Sequence, residues 1–158
     1  MKIWGLLRIL LGWIFLWAFI DKLWGLGFAT ASERAWLAGG SPTRGFLNSV
    51  TEGPFAEIFK SLAGNPIVDW LFMLGLLFVG LTLFFGFSVR LGSLAGIIML
   101  GFIYLAGFLP PENNPIVDDH IIYIVVMLGL ILNPESANFL GFGRCWQKYG
   151  LGRFGFFR

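Results

Sequence analysis

The run Asp118-Asp119-His120 is the densest titratable set in the chain, and His120 is its only histidine. Two carboxylates beside an imidazole can hold and pass a proton. Neighbouring acids raise each other's pKa, and a histidine near them titrates close to neutrality. Successive helical residues point in different directions, so at least one of the three must face the bundle or a loop. Asp21-Lys22 and Asp69 stand at the boundaries of other apolar segments, with Tyr104 and Tyr123 about one helical turn deeper in theirs. Asp118, Asp119 and His120 are therefore the candidate catalytic residues. Asp21, Lys22, Asp69, Tyr104 and Tyr123 are the candidate ligand-binding residues. Such a layer could relay protons to a quinone, whose reduction takes up two protons with two electrons, or it could hold a cation. Each group also has a structural role open to it. Asp69 and Asp118 suit the positive end of a helix dipole, Asp21-Lys22 suits a headgroup-level pair, and Asp119 or water could satisfy His120.

Several other chemistries are excluded. One histidine cannot build a bis-histidine haem site or a multi-histidine zinc site. The lone Cys145 can form neither an internal disulfide nor a CxxC pair. No nucleotide loop, nucleophile–base pair or zinc spacing is present. No protein-bound metal or haem is expected from this chain alone, and no nucleic-acid partner. Met73, Met99 and Met127 read as core packing.

The elements that must position these residues follow from composition. The 158 residues are 57% hydrophobic, 18% aromatic and 13% charged, with a mean hydropathy of +0.79. A soluble domain carries about 25% charged residues, so the expected class is all-α membrane. The chain reads as one domain over 1–158, a four-transmembrane-helix bundle with an extracytoplasmic amphipathic loop. A bilayer core takes roughly 20 helical residues to cross. Four stretches qualify: Ile3–Leu23, Ile67–Val89, Leu91–Leu109 and Ile116–Leu132. The second and third form a hairpin turning around Arg90. Pro110-Pro111 and Asn133-Pro134 stop the third and fourth. The motif NPIVD occurs at Asn65–Asp69 and again at Asn114–Asp118. Asn as N-cap, Pro in the first turn and an acid behind it form a helix start, so both copies are expected to open a span.

Lys2, Arg8, Arg90, Arg144, Lys148, Arg153 and Arg158 fall at one end of this arrangement, against the single acid Glu135. Asp21, Glu33, Glu52, Glu57, Asp69, Glu112, Asp118 and Asp119 gather at the other, with Lys22, Arg34, Arg44 and Lys60. The Lys/Arg bias places both termini in the cytoplasm of a multi-pass cell-membrane protein. The basic, aromatic tail 134–158 (Trp146, Tyr149, Phe154, Phe156, Phe157) is expected on the anionic inner leaflet. Ala29-Thr30-Ala31 resembles a signal-cleavage site. The long apolar stretch, interrupted by Arg8 and separated from that site by Asp21-Lys22, argues for a retained first span. Arg8 either snorkels to the headgroups or makes a buried contact with an anion or partner. The loop 25–64 carries helix starts at Ser32, Ser41-Pro42 and Pro54. The last puts Phe55, Ile58, Phe59 and Leu62 on one stripe, suited to lie on the outer leaflet or to cap the bundle. Gly92 and Gly96 form GxxxG, a close helix contact either within the bundle or between protomers.

Several segments resemble the DoxX/DoxD family. They are Arg8–Trp13 with Phe19–Leu23, Ser41–Leu47, Gly53-Pro54-Phe55, Leu62–Pro66, and Pro110–His120. The resemblance spans almost the whole chain. It implies a small four-span prokaryotic membrane protein. It also implies an activity like that of a thiosulfate:quinone oxidoreductase, whose DoxD part works with a second subunit, DoxA. On that footing the chain is a membrane subunit passing electrons to the quinone pool, with a quinone as cofactor and a partner subunit or a homo-oligomer. The alternatives are a non-enzymatic assembly or anchoring subunit and, further off, a small-solute or ion carrier.

Overall fold

The computed structural model describes residues 2–49, 53–107, 110–111 and 114–149. Glu52, Leu109, Glu112 and the tail residues Arg153, Phe154, Phe156, Phe157 and Arg158 lie outside that set. Among the described residues the chain is all helical. The helices are α1 (Lys2–Trp24), α2 (Arg44–Ser49), α3 (Ala56–Ser61), α4 (Pro66–Phe85), α5 (Val89–Gly107), α6 (Asp119–Leu132) and α7 (Gly143–Tyr149). Three of them, α1, α4 and α5, are long and apolar enough to cross a membrane. Their 23, 20 and 19 residues correspond to lengths of about 28–35 Å at 1.5 Å per residue, close to the hydrocarbon thickness. These helices turn broad apolar faces outward. Trp13, Leu71, Ile98 and Phe102, for example, are all exposed.

The fourth expected span, Ile116–Leu132, is shorter than its sequence suggests. The helix α6 begins only at Asp119 and has 14 residues, about 21 Å. The two NPIVD copies diverge here. Both asparagines accept a bond from the amide two residues on, Asn65 from Ile67 at 2.9 Å and Asn114 from Ile116 at 3.0 Å. After Asn65 the helix starts at once. After Asn114 the backbone turns: the Asn114 side chain also accepts from the Val117 amide at 2.9 Å, and the Ile116 carbonyl accepts from the Tyr104 hydroxyl at 2.6 Å. Asp118 is extended and caps α6 instead, accepting from the Ile121 amide at 3.1 Å.

The α4–α5 turn is Gly86-Phe87-Ser88, and Arg90 lies inside α5 rather than at the bend. Gly86 has φ 71°, the left-handed conformation that ends helices and favours glycine. The helix α1 packs chiefly on α4, and α5 packs on both α4 and α6. Gly12 lets α1 meet the α4 backbone at Leu83 and Phe84, because a Cβ there would overlap both. Gly92 faces Thr82 and Gly96 faces Met127 and Val79, so this GxxxG serves contacts inside the bundle. Leu11, Phe15, Met73, Leu76, Val79, Leu83, Leu100, Met127 and Leu130 form a continuous apolar core.

Arg8 is the exception in that core. It has no exposed surface, so it does not snorkel to the headgroups. Its guanidinium donates to the carbonyls of Leu83 and Phe84, the latter at 2.9 Å, and to those of Phe139 at 2.8 Å and Leu140 at 3.4 Å. Leu83 and Phe84 are last-turn residues of α4, whose carbonyls lack helical partners and carry the negative end of its dipole. The cation therefore sits where the backbone supplies partial negative charge. It also fixes the segment after α6 against α1 and α4, helped by a bond from the Phe142 amide to the Phe85 carbonyl at 2.8 Å. The start of the expected leaflet-lying tail is thus folded onto the bundle.

Replacing Arg8 by Met would leave several buried carbonyls without donors, at about 1–3 kcal/mol each where water cannot reach them. The expected outcome is a melting temperature in detergent lowered by many degrees. Arg8→Lys should recover only part of the loss, because an ammonium lacks the planar fork. A thermal melt of both variants checks this.

Candidate functional site

The end of the bundle that carries the acids is assembled from the C-terminus of α1, the loop 25–64, and the starts of α4 and α6. Its acids fall into three groups with different partners. Asp21 is buried and accepts from the backbone amides of Phe28 at 3.2 Å and Ala29 at 3.0 Å. A Gly27 amide to Thr30 carbonyl bond at 2.9 Å closes the same turn. The Ala29-Thr30-Ala31 segment is therefore folded back onto α1.

Asp69, also buried, accepts from the Ser41 hydroxyl at 2.9 Å, the Thr43 amide at 3.2 Å and the Thr43 hydroxyl at 2.5 Å. Ser41 in turn accepts from the Arg44 amide at 3.1 Å and so starts α2. The Ser41-Pro42-Thr43-Arg44 signal is a helix start, as its composition predicts, and also the clasp around Asp69, which composition does not reveal. Beneath the clasp, Leu47, Ala56 and Ala106 are buried together, with Phe46, Phe59, Leu62, Ala63 and Val68 packed against them. The loop thus caps the ends of α4 and α5. The expected stripe on α3 divides: Phe59 and Leu62 pack inward, while Phe55 and Ile58 are 39% and 62% exposed.

The third group is Asp118-Asp119-His120. The His120 Nδ1 lies 2.7 Å from Asp118 Oδ2 and 3.3 Å from Asp119 Oδ1. The side chains of His120 and Asp118 are 15% and 12% exposed, whereas Asp119 is 65% exposed. A sheltered imidazole–carboxylate pair therefore sits beside an acid open to solvent, an order suited to passing a proton inward or outward. One ligand atom from each residue lies within 4.8 Å of the others. The Asp118 carboxylate is already divided between the helix cap and the imidazole. The positive helix N-terminus also opposes a metal cation there, so the geometry suits a proton better. Among the described residues, no hydrogen bond or ion pair joins this group to Asp21 or Asp69.

Tyr104 is buried and committed to the Ile116 carbonyl. Tyr123 is half-buried against the apolar core. Lys22 is half-buried and lines a half-open groove of about 330 Å³ with Trp13, Ile14, Trp17, Asp21 and Phe28. Trp17 meets Phe28 edge-on at 5.0 Å and Trp13 at 5.6 Å. Sequence reasoning paired Lys22 with Asp21 but missed this aromatic wall. The i, i+4 spacing of Trp13 and Trp17 was the available signal. Among the described residues Lys22 has no hydrogen-bond or ion-pair partner. Glu33, on the exposed loop, is held below the ordinary carboxylate range by its own backbone amide and then by the Ser32 hydroxyl at 3.0 Å.

No family model, curated protein or solved structure matches this chain.

Asp69→Ala should free Ser41 and Thr43 and loosen the cap. The expected loss is about 2 kcal/mol for the abandoned donors, with faster proteolysis between residues 41 and 49. Limited proteolysis followed by mass spectrometry checks it.

Proposed function

We propose that this chain is a DoxX-like membrane subunit of a quinone-linked oxidoreductase. The aromatic groove with Lys22 in its lining is the observation that carries the reading. A quinone is a flat apolar ring with acceptor oxygens, and it arrives from the lipid phase. The groove opens on the outer surface of α1 and is lined by Trp13, Trp17 and Phe28 together with Lys22, whose ammonium lies in the field of Asp21 and makes no hydrogen bond among the described residues. Those features fit such a ring. When bound, a quinone supplies the two-electron acceptor chemistry that no side chain here can supply. The chain's own residues have three tasks. Trp17 and Phe28 orient a ring by edge and face contacts. Lys22 donates to an acceptor oxygen. His120, with Asp118 behind it and Asp119 toward solvent, holds and passes a proton at the same end of the bundle. Electrons would come from a partner subunit, since the chain has no thiol pair.

The basic end, with Lys2, Arg8, Arg90, Arg144 and Lys148 against Glu135, is proposed to face the cytoplasm, and the groove and His120 the other side. α6 with the extended stretch before it is proposed as the fourth crossing. A carrier role has less support, because the core between the helices is mainly apolar and its buried Arg8 is committed to backbone carbonyls. A second reading, an assembly or anchoring subunit, is favoured by the exposed Phe55 and Ile58 on the loop cap. If that reading holds, Ile58→Asp releases co-purifying protein and quinone turnover is absent.

Quinone turnover by the purified protein with its co-purifying partners tests the main reading. Lys22→Met is expected to weaken quinone binding by about tenfold, the worth of one charge-assisted hydrogen bond. His120→Ala is expected to lower turnover by about 100-fold. Absence of bound quinone together with unchanged turnover in His120→Ala would remove the proposal. Orientation has its own check in the exposed Cys145. A membrane-impermeant maleimide should label it only after the cells are opened.

A further inference from the structure

At the end opposite the acids, Ile9, Phe84, Phe85, Leu140, Gly141 and Phe142 line a half-open pocket of about 470 Å³. We propose that this pocket holds an acyl chain of an anionic phospholipid from the adjoining leaflet, whose phosphate is bound by Arg144 and Lys2. The proposal is independent of the quinone reading, which concerns the other end.

Backbone bonds brace the walls of this pocket. Arg8 bonds to the carbonyls of Phe84 and Leu140, both lining residues. The Phe142 amide holds the Phe85 carbonyl at 2.8 Å. Gly141 is pressed so near the carbonyls of Ala137 and Phe85 that a Cβ would come within 2.6 and 2.9 Å of them. A space braced in this way and lined by aromatic and aliphatic groups needs an apolar occupant. It opens on the outer surface, where Leu140 and Phe142 are 76% and 58% exposed. Ile9 lies seven residues past Lys2, about 10 Å along α1, which is the depth of the first methylenes below a headgroup.

Charge selects the headgroup. Arg8 is fully buried, and none of its partners is a carboxylate. Its Nε has no hydrogen-bond partner. The positive charge behind the pocket is therefore offset only by carbonyl dipoles. Lys2 starts α1 about two turns before the lining residue Ile9, and Arg144 follows the lining residue Phe142 by two positions in the first turn of α7; both are exposed. Glu135 is the only acid at this end among the described residues. A phosphodiester with an uncharged headgroup substituent complements this field. A choline phospholipid brings its own cation into it.

The test is lipid retention. The protein is placed in nanodiscs holding equal phosphatidylglycerol and phosphatidylcholine, released, and weighed by native mass spectrometry. The expected result is one tightly held lipid, with phosphatidylglycerol preferred by about fivefold or more, the worth of one basic side chain at an anionic headgroup. Arg144→Glu, at an exposed position, should bring the preference near parity. Ile9→Trp, filling the pocket, should lower retention of both lipids. Equal retention of the two lipids by the wild-type protein would overturn the proposal, as would unchanged preference in a folded Arg144→Glu variant. If Ile9→Trp does not fold, Arg144→Glu and the wild-type comparison still decide.

Discussion

A full positive charge inside an apolar bundle, satisfied only by backbone oxygens, is the constraint on which the basic end depends. In hydrocarbon an arginine costs about 2.5–3.5 kcal/mol even on forgiving scales. Arg8 offsets that cost in two ways. It takes up carbonyls that would themselves be orphaned at the end of α4, and it stands at the negative pole of that helix. The same guanidinium reaches the strand of chain around Phe139 and Leu140. One side chain thereby joins α1, the end of α4 and the start of the tail. The geometry also demands glycines: Gly86 and Gly141 both approach the guanidinium within the reach of a would-be Cβ.

The acidic end applies the mirror image of this rule. There the unsatisfied groups are amides, and carboxylates meet them. Asp21 takes two amides of the turn after α1, and Asp69 takes one amide and two hydroxyls from the segment before α2. Both acids are therefore occupied in holding the cap closed. Asp118 is partly occupied as the α6 cap. What remains for proton chemistry is the His120 face of that cap, with Asp119 at its open side. The structure thus gives a layer of similar residues different partners, Asp21 and Asp69 as latches and Asp118 with His120 as a paired cap.

Much of this was legible in the residues. The apolar lengths of α1, α4 and α5 and the helix starts at Asn65 and Ser41 follow from local composition. So does the placement of the acids at one end. The α4–α5 bend, by contrast, falls at Gly86-Phe87-Ser88 and not around Arg90. The misread parts were set by distant contacts. The sequence of the second NPIVD copy gives no hint that the Ile116 carbonyl will meet the Tyr104 hydroxyl and that α6 will start only at Asp119. Arg8 could have lain at the surface, and only its packing against residues more than 70 positions away decides otherwise. The apparent stripe on α3 is regular at 3.6-residue spacing, but Ala56, which breaks the pattern, is the buried residue. Periodicity describes which residues share a face. It does not say how far a neighbouring element covers that face.

The reach of Arg8 has a consequence for how the protein is made. Its acceptors lie 75 and 131 residues further along the chain. A ribosome working at about 5–20 residues per second delivers the last of them roughly 7–26 seconds after the arginine emerges. Until Leu83 and Phe84 arrive, the first helix holds a charge with no acceptors from its own later chain, and the carbonyls of Phe139 and Leu140 come later still. The final seating of α1 in lipid then belongs to the close of synthesis, when the segment beyond α6 arrives to complete the ring of oxygens.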